Sequence, residues 1–392
     1  MVHVVTTLVA LALLADTVRR VYAVGREAND HFVAVVVTAC MGLYWLLAQG
    51  APAAALPAML AGMVGIWGLF FAIHRDGPPS APIRALAVGS QLAYAFALWA
   101  GLVWLLRAPV ALLLGWPLIW PGAALLLPLG LALGGWINQY RWAQTVRHHE
   151  VPGLPATIVQ LSDLHASVLM HRRELDPLID RVNALSPDLV VVTGDLVMPF
   201  SEKDHSYLIT ALGRLQPPTL CCPGNHDLPV LERLRGALAP VAPLLVDEAR
   251  TLHLGGRPVQ IAGVNFHWTS ARDRLGEALD VLPRAPEAYR ILLAHDPRLG
   301  PWLPHGRFDL VLSGHTHGGQ VAANWLGLPI SLLRAFGVRD QGWWEVPGGR
   351  QYVHRGNWLT GLPPRMGVAG EIAVFSPAPP SDRGGPRSGG GS

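Results

Sequence analysis

The 392-residue chain is 51% hydrophobic and only 15% charged, carries a formal net charge of +3, and places just 11 of its 57 charged side chains in residues 1–141. Soluble domains carry roughly 25% charged residues, so a wholly disordered or uniformly soluble chain is excluded, and the first third reads as membrane-like. The small net charge excludes a nucleic-acid partner held by bulk basicity. The single lysine, Lys203, stands outside any Gly-rich loop, which excludes a P-loop nucleotide site.

In chain order, apolar stretches run over 2–15, 32–49, 53–73, 86–106 and 110–137. The last four are long enough, or nearly so, for a hydrocarbon core that needs about 20 residues. Residues 1–141 are therefore expected to form a multi-span transmembrane α-helical region of four to five helices. The short first stretch could cross the bilayer or lie along its surface. Pro117, Pro121 and Pro128 predict a kink or break in the last stretch. Arg19, Arg20, Arg26, Arg75, Arg84, Arg141 and Arg147 fall on one side of these spans and Arg107 on the other, an asymmetry that places the following domain in the cytoplasm. Asp16, Asp30 and Asp76 sit at span ends, so no ion pathway is expected and the region reads as an anchor in contact with membrane lipids.

Residues 142–154 are expected to be a linker and 155–375 a second domain. Within it, 156–161, 188–193, 219–222, 259–264, 290–294 and 308–312 read as strands. Helical periodicity occupies 172–186, 203–215, 229–239 and 272–280. Such alternation predicts an α/β domain, a β-sheet sandwich flanked by helices. Residues 376–392 are Pro/Gly/Ser-rich and are expected to be a disordered tail. Cys40 lies in an apolar run, and Cys221 and Cys222 point opposite ways on a strand, so no disulfide framework is expected.

The residues at the carboxyl end of each strand carry the chemistry. The first strand leads into Ser162-Asp163-Leu164-His165, the second into Gly194-Asp195, and the third into Gly224-Asn225-His226-Asp227. The strand ending at Ala294 runs into His295, and the last into Gly314-His315-Thr316-His317-Gly318-Gly319-Gln320. Ligands of open α/β sheets bind beyond the carboxyl ends of strands. Oxygen and nitrogen donors without a thiolate suit Mn, Fe, Zn or Co rather than a structural zinc site.

These five ordered blocks resemble the calcineurin-like metallophosphoesterase superfamily over about residues 155–375. With the apolar first third, they resemble its membrane-anchored bacterial branch, which includes phosphodiesterases and UDP-2,3-diacylglucosamine pyrophosphohydrolases. The resemblance implies two divalent ions per chain, Mn²⁺ first among the candidates. Asp163, His165 and His317 would hold one ion and Asn225, His295 and His315 the other, with Asp195 bridging. His226 would act as proton donor toward the phosphoryl or leaving-group oxygen, with Asp227 orienting its ring, while a hydroxide between the ions attacks phosphorus in line. Protein phosphatases of this superfamily follow the bridging Asp with Asp-Arg. Here Leu196-Val197 follows Asp195, which argues against phosphoprotein substrates.

The resulting expectation is a multi-pass membrane hydrolase of phosphodiester or pyrophosphate bonds, lipid-linked substrates included. The alternatives are a nucleotide or phosphomonoester hydrolase, or a non-catalytic metal-binding sensor. An apolar lip over 321–336, followed by Trp343 and Trp344 and interspersed with Arg334, Arg339, Arg355 and Arg365, could meet an amphiphilic phosphate or be plain core. No protein partner is legible.

Overall fold

Buried strands of β-branched and aliphatic residues form the centre of the structure, and their period-two alternation sends successive side chains into different layers. The computed structural model describes residues 80–114, 121–142, 144–198, 205–322, 324, 331–347, 349–358 and 365–378. In order these form α1 (Ala81–Leu114), α2 (Pro121–Trp142), β1 (Thr145–Val151), β2 (Ile158–Leu161), α3 (Arg172–Ala184), β3 (Leu189–Thr193), α4 (Ser206–Leu212), β4 (Thr219–Cys222), α5 (Leu231–Leu238), β5 (Glu248–Leu254), β6 (Arg257–Gly263), α6 (Ala271–Val281), β7 (Tyr289–Leu293), β8 (Leu310–Ser313), α7 (Leu332–Ala335), β9 (Gly342–Val346), β10 (Gly349–Val353) and β11 (Glu371–Pro377).

One sheet has the order β1-β11-β2-β3-β4 and the other β5-β6-β7-β8-β10-β9. Ile158, Leu189, Val191, Leu220 and Cys222 from the first sheet meet Ile261, Ile291, Leu293, Leu310 and Leu312 from the second in the core between them. Their neighbours Val159, Leu161, Val190, Val192 and Cys221 face the opposite way, onto Leu175, Leu178, Ile179 and Val182 of α3 and onto α4 and α5. On the far side, Ala262, Leu292 and Val311 pack against Leu275 and Ala278 of α6. The result is four layers, helices outside two facing sheets, as the alternation predicts. Cys221 and Cys222 do point into different layers. Buried Gln160 ties the sheets together, its amide donating to Thr193 Oγ1 at 2.8 Å and to the Ser313 carbonyl at 3.0 Å.

The stretch expected as a linker over 142–154 instead holds β1, which pairs in parallel with β11 from Thr145↔Glu371 to Val151↔Pro377. Its sequence, TVRHHEV, carries half-exposed or exposed side chains up to buried Val151 and lies at a sheet edge, so backbone pairing contributes more than hydrophobicity to making it a strand.

The N-terminal region also differs from expectation. The break expected between 106 and 110 is absent: α1 runs through Arg107 to Leu114. Pro121 opens α2, where a missing N–H is harmless, and Pro128 lies inside that helix without ending it. Among the described residues no helix combines the length and apolarity needed to cross a membrane. The two helices direct polar groups to the α/β domain. The Arg84 guanidinium pairs with Glu174 at 2.5 Å and donates to the Val168 carbonyl, while Asn138 donates to the Arg365 carbonyl at 2.8 Å. The stretches 2–15, 32–49 and 53–73, the lip residues 325–330 and the tail from 379 lie outside the described residues.

Glu371 knots β1, β10 and β11 at one end of the first sheet. It is fully buried, accepts from Tyr352 Oη and from the Arg355 N–H at 3.0 Å each, and lies 3.2 Å from Arg147 Nε. Burial works against its ionisation, but His354, Arg355 and Arg147 hold the carboxyl below its ordinary value. A depressed folded-state value means the stabilisation is complete above the unfolded value of about 4.3 and is lost as pH falls through the folded one. Glu371→Gln is therefore expected to lower stability at pH 7 by about 1–3 kcal/mol, the cost of leaving buried donors short of a charged acceptor. Calorimetric melting against pH should also show a shallower acid limb than wild type; an unchanged limb contradicts this role for Glu371.

Candidate metal centre

The loops after β2, β3 and β8 turn abruptly enough to require left-handed backbone at residues that are not glycine. Asp163 (φ 54°), His165 (φ 45°), Asp195 (φ 51°), His315 (φ 74°) and His317 (φ 51°) all adopt it. Each such residue costs of order 1–3 kcal/mol and persists only where its surroundings over-determine it. Here the loops fasten one another: Asp163 N–H donates to the Gly194 carbonyl at 3.0 Å, and His165 N–H to the Asp195 carbonyl at 2.9 Å. Close packing also demands glycine at two points. A Cβ on Gly224 would sit 2.2 Å from Asp195 Oδ1, and one on Gly314 would sit 2.0 Å from Ser162 Oγ.

These turns bring the sequence-predicted donors together. Asp163, His165, Asp195 and His317 each present one nitrogen or oxygen within 4.8 Å of the others, and all four are buried. Asp195, His295 and His315 form a second such group, so the Asp195 carboxylate is common to both. In the first group, His165 Nε2 and His317 Nε2 are 3.0 Å apart, and His317 Nε2 is 3.2 Å from Asp163 Oδ1. In the second, His295 Nε2 lies 3.3 Å from Asp195 Oδ2. The far ring nitrogens are committed to carbonyls: His295 Nδ1 lies 2.6 Å from Thr193 O and His317 Nδ1 2.9 Å from Trp358 O. With Nδ1 donating, Nε2 is the nitrogen that each ring turns to the site.

Electrostatics prepares most of these donors; at His295 burial is outweighed by the Asp195 carboxylate, which raises the ring to about 10, so that ring must release a proton to bind a cation. Burial alone would raise the Asp195 carboxyl, but the His295, His226 and His165 rings hold it well below the usual range. Asp163 is likewise lowered, His317 outweighing burial. Burial pushes His165 well down and His315 down to about 4, keeping both rings neutral at pH 7. Neutral imidazoles and ionised carboxylates are the forms that bind divalent cations. Buried Asn225 Oδ1 and His295 Nε2 have no hydrogen-bond partner, an arrangement that a cation between them would satisfy. The donor set thus fits divalent metal, with no thiolate among the members of either group.

His226 lies beside this cluster, its Nε2 3.9 Å from Asp195 Oδ2 and its ring edge-on to His165 at 4.8 Å between centroids. The expected orientation of its ring by Asp227 is not what the structure has. Asp227 accepts from the backbone N–H groups of Gly224 at 2.8 Å and Val197 at 3.1 Å, so it braces the loop that carries Asn225 and His226. Burial, with Asp195 nearby, raises its carboxyl to about 7. The lip arginines are also largely committed elsewhere. Arg334 pairs with Asp340, Arg339 donates to Gln351 Oε1 and the Glu345 carbonyl, and fully buried Arg365 donates to carbonyls.

Several contributors are not legible in the sequence. Asn357 accepts from Ser162 N–H through Oδ1, Trp358 offers its carbonyl to His317, and Phe266 and Trp268 stand beside His315 at centroid distances of 5.4 and 6.4 Å. Asn357 and Trp358 act through an amide and a carbonyl that carry no spacing signal. The aromatic pair, close behind the β6 strand in Asn265-Phe266-His267-Trp268, does carry one signal, its place at a strand end.

The family model described as calcineurin-like phosphoesterase matches residues 156–319. The chain is 32% identical to the metallophosphoesterase YkuE of Bacillus subtilis over 228 residues, covering 56% of this chain and 78% of that one. It is 29% identical to the phosphodiesterase YaeI of Escherichia coli over 220 residues, covering 50% and 78%. It is 32% identical to a Bos taurus transmembrane protein with metallophosphoesterase domain over 239 residues, covering 55% and 51%. The chain spans less than two thirds of several other curated relatives.

Gly224→Ala is the sharpest check on this packing. With its Cβ forced against Asp195, it should lose about 1–3 kcal/mol of stability, the usual penalty of overpacking. It should also show a smaller rise in melting temperature on addition of Mn²⁺ than wild type does. Unchanged melting with and without Mn²⁺ would show that the Gly224–Asp195 approach is not needed.

Proposed function

Because the chain belongs to the calcineurin-like phosphoesterase family and is a metal-dependent phosphoesterase, we propose that it is a two-metal hydrolase of phosphodiester or pyrophosphate bonds whose two cations share Asp195. The observation that carries this reading is the presence of one carboxylate, Asp195, in both donor groups. Asp163, His165 and His317 would hold one ion, and His295, His315 and the amide oxygen of Asn225 the other. Mn²⁺ is the first candidate, with Fe, Zn and Co compatible with the same donors. The pair would supply water activation and charge neutralisation at the phosphoryl oxygens.

The chain's own residues do the rest. Thr193 and Trp358 fix the two histidine rings, and burial of Asp163, His165 and Asp195 keeps bulk water from competing for their lone pairs. His226, within reach of the same space but outside both donor groups, is suited to hand a proton to the departing oxygen. His315 is the more exposed ligand candidate, so substrate would enter on its side, past Phe266 and Trp268.

Membrane attachment with the catalytic domain in the cytoplasm belongs to the same proposal. Its supports are the sparse charge of residues 1–141, the arginine asymmetry, and relatives named as transmembrane proteins. On α2, the exposed side chains of Leu126, Leu129, Leu133 and Ile137 follow one helical face. A site held near the bilayer favours a lipid-linked phosphoester, because tethering raises its effective concentration and does nothing for a small soluble one.

Metal analysis and turnover separate the parts. Asp195→Asn should lose bound Mn²⁺ clearly relative to wild type. His226→Ala should keep both ions and lose about 10²–10⁴-fold in kcat. Two retained ions in Asp195→Asn would defeat the shared carboxylate, and metal loss in His226→Ala would make that residue a ligand. The lipid proposal stands on a higher kcat/KM for a lipid-linked diester or pyrophosphate than for its delipidated headgroup; equal values remove it.

A further inference from the structure

Arg365 is completely buried, and no carboxylate of the described residues lies within 4.0 Å of its guanidinium. Such a cation is unfavourable to bury unless its donors are satisfied. Its two terminal nitrogens meet carbonyl oxygens, those of Arg355 at 2.6 Å, Gly356 at 3.2 Å, His317 at 3.3 Å, and Trp358; Nη2 also lies 3.3 Å from His317 Nδ1, and Nε has no partner among the described residues. Three of these four belong to one short turn, 355–358, and the fourth to a residue of the metal centre.

That turn braces two members of the first donor group. The Trp358 carbonyl receives His317 Nδ1, and Trp358 N–H donates to the Asp163 carbonyl at 3.1 Å. Asn357 exchanges two hydrogen bonds with Ser162, its N–H donating to the Ser162 carbonyl at 2.8 Å and its Oδ1 accepting from Ser162 N–H at 2.9 Å. A Cβ at Gly356 would lie 3.0 Å from His317 Nδ1, so the turn is pressed against the ring. On the other side, Asn138 of α2 donates to the Arg365 carbonyl at 2.8 Å and to Val368 O at 3.4 Å. An unbroken series of hydrogen bonds thus runs from α2 through Arg365 and the 355–358 turn to His317.

We infer that Arg365 is a positioning residue for His317, and that helix α2 supports the metal centre through Asn138. The inference rests on the proposed two-metal reading, in which His317 is a ligand. The planar guanidinium matters more than the charge, since its carbonyl partners are divided between two fixed nitrogens, and the single nitrogen of an ammonium cannot occupy both places. Partners that orient a ligand's ring typically contribute 10–100-fold to metal affinity. Helix α2 then supports the metal centre in addition to any role in attachment.

The test is Mn²⁺ titration of the full-length protein, with free Mn²⁺ read by electron paramagnetic resonance. Wild type should bind two ions. In Arg365→Lys one ion should weaken about 10–100-fold while the other holds, and excess Mn²⁺ should restore kcat. Asn138→Leu should weaken the same ion by about 2–30-fold, the range of coupling through a shared network, and keeps the inference testable should Arg365→Lys fail to fold. Glu174→Gln, which removes the ion pair with Arg84 of α1 and touches nothing in the 355–358 turn, should leave both affinities unchanged. Unchanged binding in Arg365→Lys and Asn138→Leu, or equal weakening of both ions in step with melting temperature, overturns the inference. Two intact sites in wild type with unaltered variants defeats this inference alone, whereas a wild type that binds fewer than two ions defeats the two-metal reading beneath it.

Discussion

The Asp195 carboxylate sits 1% exposed at the end of β3, with His165, His226 and His295 nitrogens between 3.3 and 3.9 Å from one of its oxygens. Bringing so many polar groups into a dry space is unfavourable unless something satisfies them together. Much of the local structure arises from that constraint. Left-handed turns at five of the donors aim their side chains inward, Gly224 and Gly314 clear room for the backbone, and carbonyls behind His295 and His317 turn both rings toward the site. None of these features is favourable alone, and they become intelligible as the support of a cation site.

The four-layer core makes the constraint sustainable, since strands buried on both faces hold their ends rigidly. One inter-sheet bond from Gln160 and one within the second sheet from Gln351 both reach Ser313, which ties together the sheet ends that carry the donors. The same rigidity extends outward through the 355–358 turn to Arg365 and α2. Helix α2, which reads in sequence as part of an anchor, is thereby bonded to the residues that surround the site.

The strand-ending blocks are legible in sequence because metal chemistry restricts residue type and strand ends restrict position. Asp163, His165, Asp195, His295, His315 and His317 converge as their spacing implies. The buried strands are legible too, since their hydrophobic runs have no other explanation. Work done by backbone or by generic polar groups leaves no such trace. The edge strand β1 is made by pairing with β11, and its polar sequence resembles a linker. Asp227 holds backbone N–H groups where the family resemblance implies the His226 ring. Arg365 reads in sequence as a candidate phosphate contact, because nothing there separates an arginine that meets substrate from one that holds carbonyls.

The sharing of Asp195 between two cations is most directly tested by anomalous diffraction from crystals grown with Mn²⁺. Two peaks roughly 3.5–4 Å apart on either side of the Asp195 carboxylate, one contacted by Asp163, His165 and His317 and the other by Asn225, His295 and His315, are the expected result. A single peak within the first set, leaving His295 and His315 without metal at saturating Mn²⁺, would contradict it.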